Sequence, residues 1–209
     1  GCHSLKYARY KRVSEDLEIP LEMFQANLIF GDQKLGDLIN IGMESKESKE
    51  WFGNSPPDLT LEAGLRGPDW IYTYLKSFYI DDSRPLGVNN KVYENVGMPH
   101  VLLEMQGEQF SVCKQIPEVA SNGGIKQDPI TGEQLTIEKC GFLEVEEGSG
   151  AQTVKEFDQS MKDLTNFLAY MTDPMKKERE TIGTYVLLYL FIFTILSYLL
   201  YIEFKKDLH

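Results

Sequence analysis

The stretch Ile182-Gly-Thr-Tyr-Val-Leu-Leu-Tyr-Leu-Phe-Ile-Phe-Thr-Ile-Leu-Ser-Tyr-Leu-Leu-Tyr-Ile202 runs for 21 residues without a charge, bounded by Glu180 on one side and by Glu203, Lys205 and Lys206 on the other. As an α-helix rising ~1.5 Å per residue it reaches roughly 31 Å, the depth of a hydrocarbon core of about 30 Å. Tyr185, Leu188, Phe191, Ile195, Leu199 and Ile202 sit among equally apolar neighbours, so no face is left for water and the buried helix of a soluble domain fits poorly. Tyr185, Tyr198 and Tyr201 suit interfacial anchors. The segment lies at the far end of the chain, which makes it a tail anchor rather than a signal peptide. Lys205 and Lys206 favour a cytoplasmic C-terminus, but Lys176, Lys177 and Arg179 compete on the other flank, so charge alone leaves the orientation open.

Upstream of the anchor, about 175 residues suit one domain of ordinary size, giving an expected division into residues 1–175 and an anchor with a short tail at 176–209. A formal charge of −11 and a pI near 4.8 exclude a nucleic-acid partner and favour cationic ones. The acidic residues Glu144, Glu146, Glu147, Glu156 and Asp158 form a candidate steering cluster, although such clusters are more often solvated faces. Three cysteines, three histidines and no Cys-x2-Cys pair exclude a zinc framework. There is no Ser/His/Asp set and no paired-carboxylate signature, so acid–base and nucleophilic catalysis are not expected.

Within the domain, Leu21 to Phe30 behind Pro20 predicts a short helix, and Pro68 to Tyr79 a second, with Ile71, Leu75 and Phe78 at helical spacing. Gly31 to Glu50 reads as a polar stretch and Gly87 to Gly97 as a loop. The alternation Val101, Leu103, Met105 predicts a strand, paired with Phe142, Leu143 and Val145 in a small ribbon, with Cys113 to Cys140 as an insertion between them. Val154 to Met171 is the strongest soluble helix: Val154, Phe157, Met161, Leu164, Leu168 and Met171 recur every three or four residues, and Asp173-Pro174 ends it.

Chemistry begins at Gly1-Cys2-His3, which matches the second half of a Cys-x-x-Cys-His haem-attachment motif, where thiols form thioethers and the adjacent His ligates iron. The other reading is a free thiol beside an exposed His. The run Cys2-His3-Ser4-Leu5-Lys6-Tyr7-Ala8-Arg9-Tyr10 resembles the segment that follows haem attachment in the cytochrome c1 family. Pro56-Pro57-Asp58-Leu59 resembles that family's haem-edge motif, followed by Arg66 and an aromatic helix beginning at Asp69-Trp70. Val96-Gly97-Met98-Pro99 resembles its axial-methionine loop, and an amphipathic helix leads into a C-terminal span. Four features in the family's order cover nearly the whole chain.

The resemblance implies a mainly α, cytochrome c-like haem domain with long loops and a small β ribbon on one transmembrane helix. It implies covalent haem c, with Cys2 as the attachment thiol and His3 and Met98 as the iron ligands. Pro56, Pro57, Leu59 and Trp70 would wall the haem edge, Arg66 would meet a propionate, and at least one of Tyr7 and Tyr10 would face the porphyrin. For Leu59 and Trp70 ordinary core packing is an open alternative, and for Arg66 a solvated arginine. Met105 is the second candidate for the sulfur ligand; Met23, Met161 and Met171 fall on helices, and His100 and His209 read as ordinary histidines.

The implied function is the redox subunit of a quinol:cytochrome c oxidoreductase, taking one electron from a Rieske iron–sulfur protein and passing it to a soluble or membrane-attached cytochrome c. Cytochrome b and lipid would be neighbours in a dimeric complex. The haem domain would face the bacterial periplasm or the mitochondrial intermembrane space, with the C-terminus cytoplasmic. In that oxidising compartment, with Cys2 used by haem, Cys113 and Cys140 are left as an even pair and expected to form a disulfide. For a loop of this length the chain-entropy model gives ~3 to 4 kcal/mol, which would help hold Met98 in place. Two departures from the family pattern stand out: the sequence starts inside the haem motif, so that a removed N-terminal stretch is expected rather than a haem held by one thioether, which some relatives use, and Gly64 stands where a second basic residue is usual. A tail-anchored extracytoplasmic binding or assembly protein without haem is the competing class, and a reduced-minus-oxidised spectrum separates the two.

Overall fold

A computed structural model describes residues 1–120 and 123–206; His209 lies outside them. The described elements follow in chain order as β1 (Leu5–Arg9), α1 (Tyr10–Asp16), α2 (Leu21–Leu28), β2 (Leu38–Ile39), α3 (Ser45–Phe52), α4 (Glu62–Arg66), α5 (Pro68–Lys76), β3 (Phe78–Ile80), β4 (Val88–Asn90), α6 (Leu103–Gln106), β5 (Gln109–Pro117), β6 (Thr136–Val145), α7 (Val154–Thr172) and α8 (Lys176–Lys206). Helices dominate. The strands form three separate antiparallel pairs, β1–β2, β3–β4 and β5–β6. The fold is mainly α with a small ribbon and one long apolar C-terminal helix.

The amphipathic helix α7 is the spine. Its start is fixed by a capping box: Thr153 Oγ1 accepts the Glu156 N–H at 3.3 Å while the Glu156 carboxylate accepts the Thr153 N–H at 2.9 Å. Its apolar stripe packs Phe157, Met161 and Leu168 against Ala63 of α4 and Ile71 and Leu75 of α5. Asp158 ties the seam from outside, accepting from Tyr72 and Lys76 of α5 and pairing with Lys162 at 2.6 Å. A second cluster, Tyr10, Val13, Phe24 and Met171, joins α1 and α2 to the end of α7. A third, Phe78, Val88 and Val96, lies under β3–β4 with Met98 packed on it.

Two glycines decide how α4 and α5 meet this spine. Gly67 sits between them at φ +88°, where an L side chain is strained, and Pro68 then opens α5. At Gly64 a Cβ would come within 2.6 Å of Thr172 Cγ2. The missing second basic residue thus has a steric account: α4 approaches the end of α7 too closely to carry a side chain there. Thr172 also donates to the Thr60 carbonyl at 3.0 Å, which holds the contact shut.

Several expected elements differ. Phe78 and Tyr79 leave the helix after Lys76 and enter β3, paired with Asn90 and Asn89. Val101, Leu103 and Met105 do not form a strand; they lie in a turn and the short helix α6. The partner of Phe142–Val145 is instead Gln109–Val112, and the ribbon continues outward through the cysteines. Cys113 and Cys140 face each other in that register and are joined by a disulfide, as expected. The polar stretch Gly31 to Glu50 contains β2 and most of α3. Helix α8 is 31 residues long with a most apolar window of mean hydropathy 2.2, none of it buried, which makes it a candidate membrane span by length and composition.

Candidate functional site

Residues 3–7 and 57–60 lie side by side, laced by hydrogen bonds. His3 Nδ1 meets the Pro57 carbonyl at 2.8 Å, the Lys6 N–H donates to Asp58 at 2.7 Å, and the Leu59 N–H donates to the Ser4 carbonyl at 2.9 Å. A carbonyl can only accept, so His3 Nδ1 carries the proton and Nε2 keeps its lone pair for a metal. Asp58 is partly desolvated, which opposes its charge, but the N–H groups of Lys6 and Thr60 and the Thr60 hydroxyl outweigh this and hold its pKa below the ordinary value. The Cys-His segment is therefore fastened to the Pro-Pro-Asp-Leu segment by one backbone–backbone bond and by the His3 and Asp58 side chains.

This pair of segments forms one wall of a cavity of about 770 Å³, inside the usual range for ligand sites. Cys2, His3, Pro56, Pro57, Leu59, Arg66, Trp70 and Met98 all line it. Cys2 is a free thiol, half-buried. Leu164 and Leu168 of α7 and Ile71 and Leu75 of α5 make the floor. Arg66 is held between neighbours: its Nε is 3.2 Å from the Glu62 carboxylate, and its guanidinium lies 4.5 Å from the Trp70 ring and 6.0 Å from that of Tyr93.

Tyr7 and Tyr10 do not line the cavity. Tyr7 is exposed, with Lys6 Nζ 5.0 Å over its ring. Tyr10 is buried edge-on against Phe24, and its hydroxyl donates to Gln33. Met105 packs into the α5–α7 core and is likewise absent from the cavity wall.

Residues the sequence reading did not assign to the site also line it, among them Phe52, Asn54, Tyr74, Tyr93, Val101 and Leu102. For Tyr74 a signal existed, since it follows Trp70 by four residues on a helix and so shares its face. The two rings stack 5.1 Å apart, Tyr74 meets Phe78 edge-on at 5.2 Å, and Phe78 stacks on His100 at 4.9 Å. The Tyr74 hydroxyl lies 3.4 Å from Met98 Sδ. Burial, reinforced by Tyr93 and opposed by Arg66, pushes its pKa up to about 12, so it remains a protonated donor. His100 is buried, and burial pushes its pKa down to about 4, so its ring is neutral at ordinary pH.

The acidic cluster is largely spent within the fold. Glu144 pairs with Lys114 at 2.5 Å, Glu156 closes the α7 cap, and Asp158 is held by Tyr72, Lys76 and Lys162. Glu146 and Glu147 have no ion pair among the described residues. Cys113, Glu138 and Cys140 come together at the surface, but bonded sulfurs are not thiolates and offer no metal site.

Comparison with known proteins bears directly on this geometry. A family model described as "Cytochrome C1 family" matches residues 136–208. Cytochrome c1 of Allochromatium vinosum is 47% identical over 209 residues, covering 100% of this chain and 79% of that protein. The chain belongs to the cytochrome c1 family. A protein named ammonia monooxygenase gamma subunit, from Nitrosomonas europaea, is 36% identical over 208 residues, covering 100% of this chain and 77% of its own length. Membership of the cytochrome c1 family supports an electron-transfer subunit of the bc1 type, and it implies a respiratory bc1 complex with cytochrome b and a Rieske protein and covalently bound haem c. The chemistry of the cavity fits that group: a large, mainly apolar space whose wall offers a thiol, an imidazole nitrogen with a free lone pair and a thioether.

Proposed function

We propose that Cys2, His3 Nε2 and Met98 Sδ would hold haem c in this cavity, and that the chain would relay one electron from a Rieske iron–sulfur protein to a cytochrome c. The observation that carries the reading is the meeting of Cys2, His3 and Met98, from parts of the domain far apart in sequence, around one apolar cavity. Bound haem would supply a one-electron couple, with a potential raised by the thioether's preference for Fe(II). The Pro57 carbonyl fixes the His3 tautomer and ring plane. Pro56, Pro57, Leu59, Trp70, Leu164 and Leu168 exclude water from the cavity, and Arg66, braced by Glu62 and Trp70, offers a positive charge to a propionate.

His3 and Met98 would both be engaged in holding the group, which favours electron relay over the oxygen chemistry suggested by the name of the Nitrosomonas relative. Residues 1–175 form the haem domain on the extracytoplasmic side, and 176–209 the anchor with its tail in the cytoplasm. The reading is supported by α8 beginning at Lys176 and by Lys205 and Lys206 following its apolar run.

The test is a reduced-minus-oxidised spectrum of the full chain beside Met98→Leu and Met105→Leu. We expect a c-type α band in the parent, and in Met98→Leu a markedly lower reduction potential with new reactivity toward carbon monoxide. If Met98→Leu leaves both unchanged while Met105→Leu alters them, the ligand assignment is wrong. If no α band accompanies the parent chain, the haem reading fails altogether.

A further inference from the structure

The column of rings along α5 poses a question that packing alone does not answer. Trp70 and Phe78 would hold a phenylalanine at position 74 as well as they hold a tyrosine, since both contacts are made by the ring. A hydroxyl brought into a mainly apolar cavity costs free energy unless it finds an acceptor. Among the described residues, the Tyr74 hydroxyl has one hydrogen-bond partner, Met98 Sδ at 3.4 Å, within reach for a sulfur acceptor. Met98 is itself seated on Phe78, Val88 and Val96, and Phe78 is fully buried and stacked on His100. The sulfur and the hydroxyl are therefore both carried on the same rigid base.

We propose that Tyr74 is a positioning residue for the Met98 sulfur: its O–H donates to one sulfur lone pair and so aims the other into the cavity. The proposal rests on the reading of Met98 as an iron ligand and adds to it the device that orients the ligand. A thioether has two lone pairs and rotates easily about its last bonds, so a loop methionine alone does not choose which pair it presents. A hydrogen bond to one pair makes that choice. It also withdraws electron density from the sulfur, which weakens donation to a metal and favours the reduced state. Tyr74 thereby acts on the couple through another residue, as outer partners of metal ligands do. Trp70, stacked on Tyr74 and bearing Arg66 on its other neighbour contact, keeps the ring from swinging out of line.

The experiment compares the holo full-length chain with Tyr74→Phe and Met98→Leu. It reads the ferric thioether-to-iron charge-transfer band, the reduction potential, and far-ultraviolet circular dichroism. For Tyr74→Phe we expect an unchanged dichroism spectrum and a retained but energy-shifted charge-transfer band. At a fixed ambient potential the reduced-to-oxidised ratio should fall several-fold, a tenfold fall being 59 mV for one electron. Met98→Leu should abolish the band. If Met98→Leu abolishes it while Tyr74→Phe leaves band energy and potential at parent values, Tyr74 is only a packing residue and the proposal is overturned. If Met98→Leu leaves the band in place, the ligand reading beneath it is the part that has failed. Tyr74→Leu, which removes ring and hydroxyl together, must perturb band and potential at least as much as Tyr74→Phe; a smaller effect would also overturn the proposal.

Discussion

The cavity wall and the β5–β6 ribbon are stabilised in opposite ways. The wall is assembled from the N-terminal segment, the Pro56–Leu59 run, α4, α5, the Tyr93–Leu102 loop and α7. Each part is held by the others, through buried contacts such as Met161 with Ile71 and Leu75. The ribbon pairs mainly with itself, leaves most of both strands exposed, and carries a covalent link between register neighbours. It is fastened to the body at its base by the Gln109 amide donating to the Phe78 carbonyl, and beside the disulfide by Lys91 donating to the Gly141 carbonyl at 2.6 Å. A change in the wall should therefore spread through the domain, whereas a change in the ribbon should stay in the ribbon.

The strongest challenge to that contrast is Met161→Ala. Met161 is 1% exposed at the centre of the α5–α7 seam, so the truncation is expected to cost about 2–5 kcal/mol. Denaturant unfolding of the holo chain measures it, and the yield of covalent haem should drop with it. A loss below ~1 kcal/mol would mean that the wall is not the cooperative unit described.

Next in size is the double variant Cys113→Ser/Cys140→Ser. The chain-entropy model sets its ceiling at ~3 to 4 kcal/mol, but because the ribbon is exposed the loss should surface as local fraying. Limited proteolysis should cut between residues 114 and 139 faster than in the parent while the rest of the domain resists. Unchanged nicking, or unfolding of the whole domain at once, would break the comparison. Peptide mapping without reductant should recover Cys113 and Cys140 linked.

The smallest expected effect sharpens it by pH. Hydrogen bonds from Lys162, Lys76 and Tyr72 hold the Asp158 carboxyl well below the usual carboxylate range. A depressed folded pKa means that the unfolded chain takes up protons first. The stabilisation is thus complete above the unfolded pKa of about 3.9 and is lost as pH falls through it toward the folded value. Asp158→Asn should flatten the decline of melting temperature below about pH 5 and change little at pH 7 in its slope. An unaltered acid slope would remove this contact from the seam's account.

What could be read in the chain follows the same division. The long elements α7 and α8 carry their own periodic signal over many turns, and both were legible. Short elements depend on partners elsewhere. Phe78 continues the helical spacing of Ile71 and Leu75, so its place in β3 is decided by pairing with Asn90, which no local pattern reveals. Three alternating residues from Val101 to Met105 fit one helical turn as well as a strand, and α6 is what packs against α7. The cavity residues Cys2, His3, Pro57, Arg66 and Met98 were legible because the resemblance gave their order along the chain. Tyr7 and Tyr10 follow His3 closely, but adjacency says nothing about direction: β1 leaves Tyr7 exposed, and α1 turns Tyr10 toward Phe24. The Pro57 carbonyl leaves no mark in the sequence because it is a backbone acceptor, whereas Tyr74 is marked by its spacing from Trp70, a spacing that does not reveal its contact with the Met98 sulfur.

Only Asp173, Pro174 and Met175 separate α7 from α8. Pro174 stiffens that joint, Arg179 reaches back to Asp173 at 2.6 Å, and Arg12 of α1 reaches the Met175 sulfur at 2.9 Å. A long linker would let the domain wander over the bilayer and sample many headings. This one is a short stalk clamped at its collar by those two contacts, which narrows the headings the domain takes relative to α8. On the function proposed above, the search for a matching orientation would fall on the redox partner, and lengthening the joint by a few glycines would slow electron transfer without touching a single residue of the cavity.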